Sequence, residues 1–202
     1  MARFVPSTIK QGPYPVRSCN WASRDLAVTQ LYAASPDITA VVAQVGDRRL
    51  LVVLVYIPNR HTERTKDKNL LALTSRLEIT HGLAQRELLH DPHTDIVVGG
   101  DFNRHNSLWG GSRTRTLARQ DESAPIIDLM AKLSLECLLP VGEATFESDR
   151  GRTSTIDLVL ATPGLAGHLT KCDSGSMSMG RTTDRFMLAS GVTLTGRRAR
   201  QG

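Results

Sequence analysis

Nine consecutive residues hold the densest chemistry in this chain: Asp95-Ile96-Val97-Val98-Gly99-Gly100-Asp101-Phe102-Asn103. A short apolar run delivers an acid and an amide to the loop at its end. Alternate residues of an extended chain share a face, so Phe102 is expected to turn inward while Asp101 and Asn103 point the same way. An ionised Asp can orient a water and accept its proton. A neutral Asn can hydrogen-bond a phosphate oxygen without competing for that proton. Asp and Asn are also common turn formers at strand ends, so this run alone divides evenly between chemistry and a plain turn.

Similar groups recur along the chain. Tyr56-Ile57-Pro58-Asn59 ends another apolar run, and its Tyr and Asn can donate to phosphate while Pro58 stiffens the loop. Ser154-Thr155-Ile156-Asp157 opens a third run and Thr182-Thr183-Asp184 a fourth. Loops at strand ends commonly build the site of a layered α/β domain. Carboxylates that converge there need a cation between them, and hard oxygen ligands suit Mg²⁺ or Mn²⁺. Such an ion beside phosphate donors implies metal-assisted attack of water on a phosphate ester.

The elements that must position these groups are legible in outline. Ile38 to Val45 and Arg49 to Ile57, split by Gly46-Asp47, read as a hairpin. The second run is apolar on both faces from Leu50 to Val55, as in a central strand. Leu70, Leu73, Leu77, Ala84 and Leu88 form a helical stripe within 65–89, taken as core. A strand is expected at Asp95 to Gly99, and a second helix from Ser123 with Pro125 in its first turn and Ile126, Leu129, Met130 and Leu133 on one face. Asp25 to Leu31 and Thr145-Phe146 read as short extended pieces, Thr155 to Ala161 and Phe186 to Leu194 as strands. The whole is an α/β domain with mixed sheets. Residues 1–35 form a poorly defined N-terminal segment, 36–195 the domain, and 196–202 a basic tail.

Composition narrows the partners. The 202 residues fit one domain, and the longest apolar run, Leu50 to Ile57, is far too short to span a membrane. No secretory signal is visible at the N-terminus, so a nuclear or cytoplasmic protein is expected, neither secreted nor membrane-bound. The net charge is +5, with 20 Arg against 5 Lys. Arginine forks onto phosphates and base edges, so this excess points to a polyanion such as DNA, although a solvated Arg-rich surface gives the same count. Cys19, Cys137 and Cys172 are too scattered for a disulfide ladder or a zinc site and suit a reducing compartment.

The order Tyr56-x-Pro58-Asn59, Gly100-Asp101-Phe102-Asn103, Ile156-Asp157 and Thr183-Asp184 resembles the endonuclease/exonuclease/phosphatase superfamily. The longer runs Gly100 to Gly110 and Ser154 to Leu160 are similar to endonuclease domains of non-LTR retrotransposons. This resemblance implies a four-layer α/β/β/α sandwich with mixed sheets and Mg²⁺-dependent nicking of DNA, with a fused or adjacent reverse transcriptase in a parent element. It implies that Asp101 orients the attacking water, that Asn103 contacts the scissile phosphate, and that Tyr56 and Asn59 hold that phosphate. Asp157 would orient a catalytic His, and Asp184 would sit at the metal.

Two departures stand out. The final motif of the family is Ser-Asp-His, whereas here Arg185 follows Asp184 and no histidine occurs after His168. Arginine binds phosphate but cannot serve as a base. The metal-binding Glu of the family lies upstream of the Tyr motif, whereas the first glutamate here is Glu63. The expectation is a domain lacking its first strand or strands. The rival readings are a catalytically inactive remnant that at most binds nucleic acid, and a phosphomonoesterase of the same superfamily.

Lesser candidates carry less. His90 and His93 flank Pro92 and suit a helix end better than a metal. His61 and His105 read mainly as loop residues. Trp109 is either a base-stacking ring or, more in keeping with its setting, a plug under the loop. Arg113, Arg115 and Arg119 form a basic loop suited to phosphate or to solvent.

Overall fold

The computed structural model describes residues 1–7, 17–59, 66–111, 121–148 and 151–166. Its centre is a six-stranded mixed sheet of order β3-β4-β5-β6-β10-β7. The strands are β3 (Ala27–Leu31), β4 (Ile38–Val45), β5 (Arg48–Tyr56), β6 (Asp95–Asp101), β7 (Glu136–Cys137) and β10 (Asp157–Ala161). Two small antiparallel pairs lie off this sheet, β1 (Ala2–Phe4) with β2 (Asn20–Ala22) and β8 (Phe146–Glu147) with β9 (Thr153–Ser154). The helices are α1 (Lys66–His90), α2 (Ser107–Gly110), α3 (Ala124–Leu133) and α4 (Pro163–Ala166). None of them is long and apolar enough to cross a membrane.

The expected hairpin is β4–β5, antiparallel from Ile38↔Val55 to Val45↔Arg48, and Gly46 supplies the left-handed turn residue. Between β5 and β6 the pairing is parallel. A tight turn cannot join parallel neighbours, so α1 makes the crossover. Side-chain alternation then sorts each strand. Ala40 and Val42 of β4, Leu51, Val53 and Val55 of β5, Ile96 and Val98 of β6, and Leu158 and Leu160 of β10 form one buried cluster with Leu73, Leu77 and Ala84 of α1 and Ile126, Leu129 and Leu133 of α3. Leu50, Val97, Val159 and Ala161 form a smaller cluster with Leu165 of α4.

Two sequence expectations need correcting. Leu70 is 45% exposed, because the core cluster begins one turn further along α1 at Leu73, while Leu83, outside the expected stripe, is buried. The run from Thr155 to Ala161 is broken: β9 ends at Ser154 and β10 begins at Asp157. The cause is local, since the backbone N–H groups of Ile156 and Asp157 both donate to the Thr145 hydroxyl, each at 3.0 Å, instead of to a neighbouring strand. The expected strand at 186–194 lies outside the described residues.

Candidate functional site

The C-terminal ends of β5 and β6 and the start of β10 meet at one edge of the sheet. In register, Tyr56 pairs with Asp101 across the parallel ladder, and Asp157 pairs with Asp101 across the antiparallel one. All three share the alternation of the smaller cluster, so they belong to the face turned away from α1 and α3. Two further bonds tie the strand ends together. The Ile57 N–H donates to the Asp101 carbonyl at 2.8 Å, and the Phe102 N–H donates to the Ile156 carbonyl at 2.9 Å.

The chain immediately before Asp101 must be glycine. Gly100 has φ +140°, and a Cβ there would stand 1.9 Å from the Val55 carbonyl oxygen. Close approach of β6 to β5 thus needs the bare backbone. After Asp101 the strand stops. Phe102 turns fully into the core, as expected, and Asn103 takes a left-handed conformation (φ 49°), one that Asn tolerates better than most residues. The Asn103 N–H donates to Asp101 Oδ1 at 3.0 Å, and its amide donates to the Ile57 carbonyl at 2.9 Å. Asn103 therefore latches the Tyr56 loop to the Asp101 loop. Asn59 is exposed beyond Pro58 on that Tyr56 loop.

Beneath the loop, Trp109 is completely buried and its indole N–H donates to the Arg104 carbonyl at 3.2 Å. It is a plug, not an exposed stacking surface. Asn106 caps α2 by accepting from the Leu108 N–H at 2.9 Å and donates to the buried Ser123 hydroxyl at 2.7 Å.

Electrostatics set the two acids apart from surface carboxylates. Burial, with the Asp157 charge adding to it, pushes Asp101 up to about 7, against the opposing bonds from Asn103 and the Arg104 charge. Burial lifts Asp157 to about 6, against a hydrogen bond from Thr145. The Tyr56 hydroxyl is raised by burial and then by the Asp101 charge, with Arg17 opposing. A carboxylate poised near neutrality is matched to taking a proton from water.

Several residues here were invisible in the sequence. Asp37 accepts from the Arg76 guanidinium, with Nε at 3.0 Å, and pairs with Arg17 at 3.4 Å; its carbonyl accepts the Tyr56 N–H at 2.9 Å. Arg104 and Thr145 act through Asp101 and Asp157 as described. Long-range pairing brings these groups together, and no spacing announces it. Asp184, Arg185, His61, Cys172 and Arg113, Arg115 and Arg119 lie outside the described residues.

Among the described residues no three His, Cys, Asp or Glu side chains gather to hold a metal. Asp101 and Asp157 supply two hard oxygen donors whose proximity favours a cation, so the donor type fits Mg²⁺ or Mn²⁺.

Comparison with known proteins speaks to the fold and the family. No curated protein matches the chain. Among solved structures, the endonuclease domain of TRAS1, a telomere-specific non-LTR retrotransposon, is 18% identical with a TM-score of 0.59; the match covers 86% of this chain and 73% of that one. The AP endonuclease LMAP from Leishmania major is 13% identical with a TM-score of 0.58, over 77% of this chain but only 54% of its own. A 3′ phosphatase from Neisseria, bound to a product DNA hairpin, is 16% identical with a TM-score of 0.50, over 81% and 68%. These likenesses establish the mixed-sheet fold. The profile of the endonuclease-reverse transcriptase family matches residues 50–179, which include both Asp101 and Asp157. The chain belongs to that endonuclease-reverse transcriptase family, within the endonuclease/exonuclease/phosphatase superfamily.

Proposed function

We propose that the chain is a divalent-metal-dependent endonuclease that nicks DNA by hydrolysing a phosphodiester. The observation that carries this reading is the Tyr56–Asp101–Asp157 row across three neighbouring strands, with an Asp of raised pKa at its centre. Asp101 orients the attacking water and takes its proton. Asp157, which in the family pattern orients a histidine, here also keeps Asp101 basic enough for that task. Asn103, Tyr56 and Asn59 hold the scissile phosphate, and Arg185 adds a charged contact to it. A bound Mg²⁺ or Mn²⁺, held through Asp184, would supply charge neutralisation at the phosphate. The working unit is residues 36–195 with β3 added at its edge, followed by the basic tail at 196–202. Its setting is nuclear or cytoplasmic, with a reverse transcriptase fused or adjacent in the parent element.

Plasmid nicking with Mg²⁺ tests the reading. Wild type should nick, and Asp101→Ala should be slower by about 100-fold or more. Equal nicking by both removes Asp101 from the mechanism. Arg185 in the place of the histidine supports a second reading, a domain that binds nucleic acid without cutting it. Wild type that binds DNA yet leaves plasmid intact at every Mg²⁺ and Mn²⁺ concentration would establish it.

A further inference from the structure

We propose that Arg17 is a DNA-phosphate contact at the Tyr56 end of the site. Its guanidinium carbon lies 5.2 Å from the centre of the Tyr56 ring, and Nη1 lies 3.4 Å from Asp37 Oδ1. Asp37 does not need this second cation. Arg76 already engages its other oxygen through Nε and Nη2, and its third nitrogen donates to the Ala72 carbonyl at 2.7 Å. The trio therefore carries one surplus positive charge, and Arg17 is its exposed member: its side chain is 37% accessible against 16% for Arg76.

The positioning of Arg17 is built. Ser18 hydrogen-bonds Thr39, the two hydroxyls 2.9 Å apart, and the Asn20 amide donates to the Thr39 carbonyl at 3.2 Å. These buried contacts fasten the segment after Arg17 to β4. Stacking on a tyrosine fixes a guanidinium plane while leaving its edge for an anion. A guanidinium carries five N–H donors, and the ion pair with Asp37 engages Arg17 through Nη1. Nothing acidic precedes Asp25 in the sequence, and Arg3, Lys10 and Arg24 share that stretch, so this segment itself carries only positive charge. A backbone phosphate of DNA is the chemistry that suits a half-exposed guanidinium held over a tyrosine ring, with its carboxylate partner already engaged by a second arginine.

The inference rests on the reading of this site as one that acts on DNA, and its test separates the two. Binding of a short fluorescent duplex is measured by anisotropy in EDTA, across a salt series, with nicking assayed separately. Arg17→Gln keeps the stem over Tyr56, and Arg17→Lys keeps the charge without the planar fork. Arg17→Gln should weaken binding about 5- to 20-fold and reduce the salt slope by about one. Arg17→Lys should keep the slope but weaken binding about 2- to 5-fold. Arg24→Ala, an exposed turn residue, serves as the control and should change affinity less than about twofold. An Arg17→Gln protein with wild-type melting temperature, affinity and slope overturns the proposal, as does wild type that binds no DNA. Binding that depends on Arg17 without any nicking leaves this proposal standing and removes the nuclease reading alone.

Discussion

Asp157 stands directly opposite Asp101 in the antiparallel ladder of β10 and β6. Two carboxylates so placed, both partly withdrawn from water, oppose each other's ionisation. The fold tolerates the conflict because the flanking strands are fastened by backbone bonds that involve neither carboxylate.

Burial of both groups, with the Asp157 charge adding to it at Asp101, sets a pH dependence of stability. Folded values of about 7 for Asp101 and about 6 for Asp157 exceed the value of about 4 for an Asp in an unfolded chain. Stability is therefore full below about pH 4 and falls as pH rises through 6 and 7. In chelator, Asp101→Asn should raise stability at pH 8 by on the order of 2 kcal/mol and leave it unchanged at pH 4. Urea denaturation at the two pH values measures the difference. The same gain at both would show that ionisation of Asp101 is not the cause.

Gly100→Ala should cost at least about 3 kcal/mol, because the added carbon lands on the Val55 carbonyl and the backbone angle disfavours a side chain. Gly82→Ala, where nothing lies within 4 Å, should stabilise α1 by about 0.5–1 kcal/mol. Thermal melts of the pair give opposite signs if β6 depends on that close approach.

Thr145→Val should destabilise by about 2–4 kcal/mol, since it strands two backbone N–H groups, those of Ile156 and Asp157. Thr145→Ser keeps the acceptor and should restore most of the loss. A silent Thr145→Val would mean that water serves these groups as well as the hydroxyl does.

Trp109→Ala should cost about 3–5 kcal/mol by leaving a cavity under the Asp101 loop. Trp109→Phe keeps most of the volume and loses the bond to the Arg104 carbonyl, at about 1–2 kcal/mol. Chemical denaturation ranks the two. If Phe costs as much as Ala, the hydrogen bond outweighs the packing.

What could be read from the chain alone follows from how local each signal is. The β4–β5 hairpin was visible because strand patterning and the Gly46 turn sit within twenty residues. Helices α1 and α3 were visible from their apolar spacing. Asp101 and Asp157 each carried a recognisable neighbourhood, although only the shared register with Tyr56 shows that they meet. Asp37, Arg17 and Thr145 gave no warning. Asp37 reads as an ordinary residue after proline, Arg17 as one arginine among 20, and Thr145 as a β-former. Their roles arise from sheet pairing between distant segments, which no local spacing encodes. The break at Thr155-Ile156 was missed for the same reason, since the Thr145 side chain, 11 and 12 residues upstream of the two donors, takes the bonds a strand would have used.

The Asn106–Ser123 bond has a consequence for how this chain can diverge. It ties the cap of α2 to the residue that precedes α3. Either position can change safely only together with the other, because truncating one removes a hydrogen bond from a buried polar group of its partner.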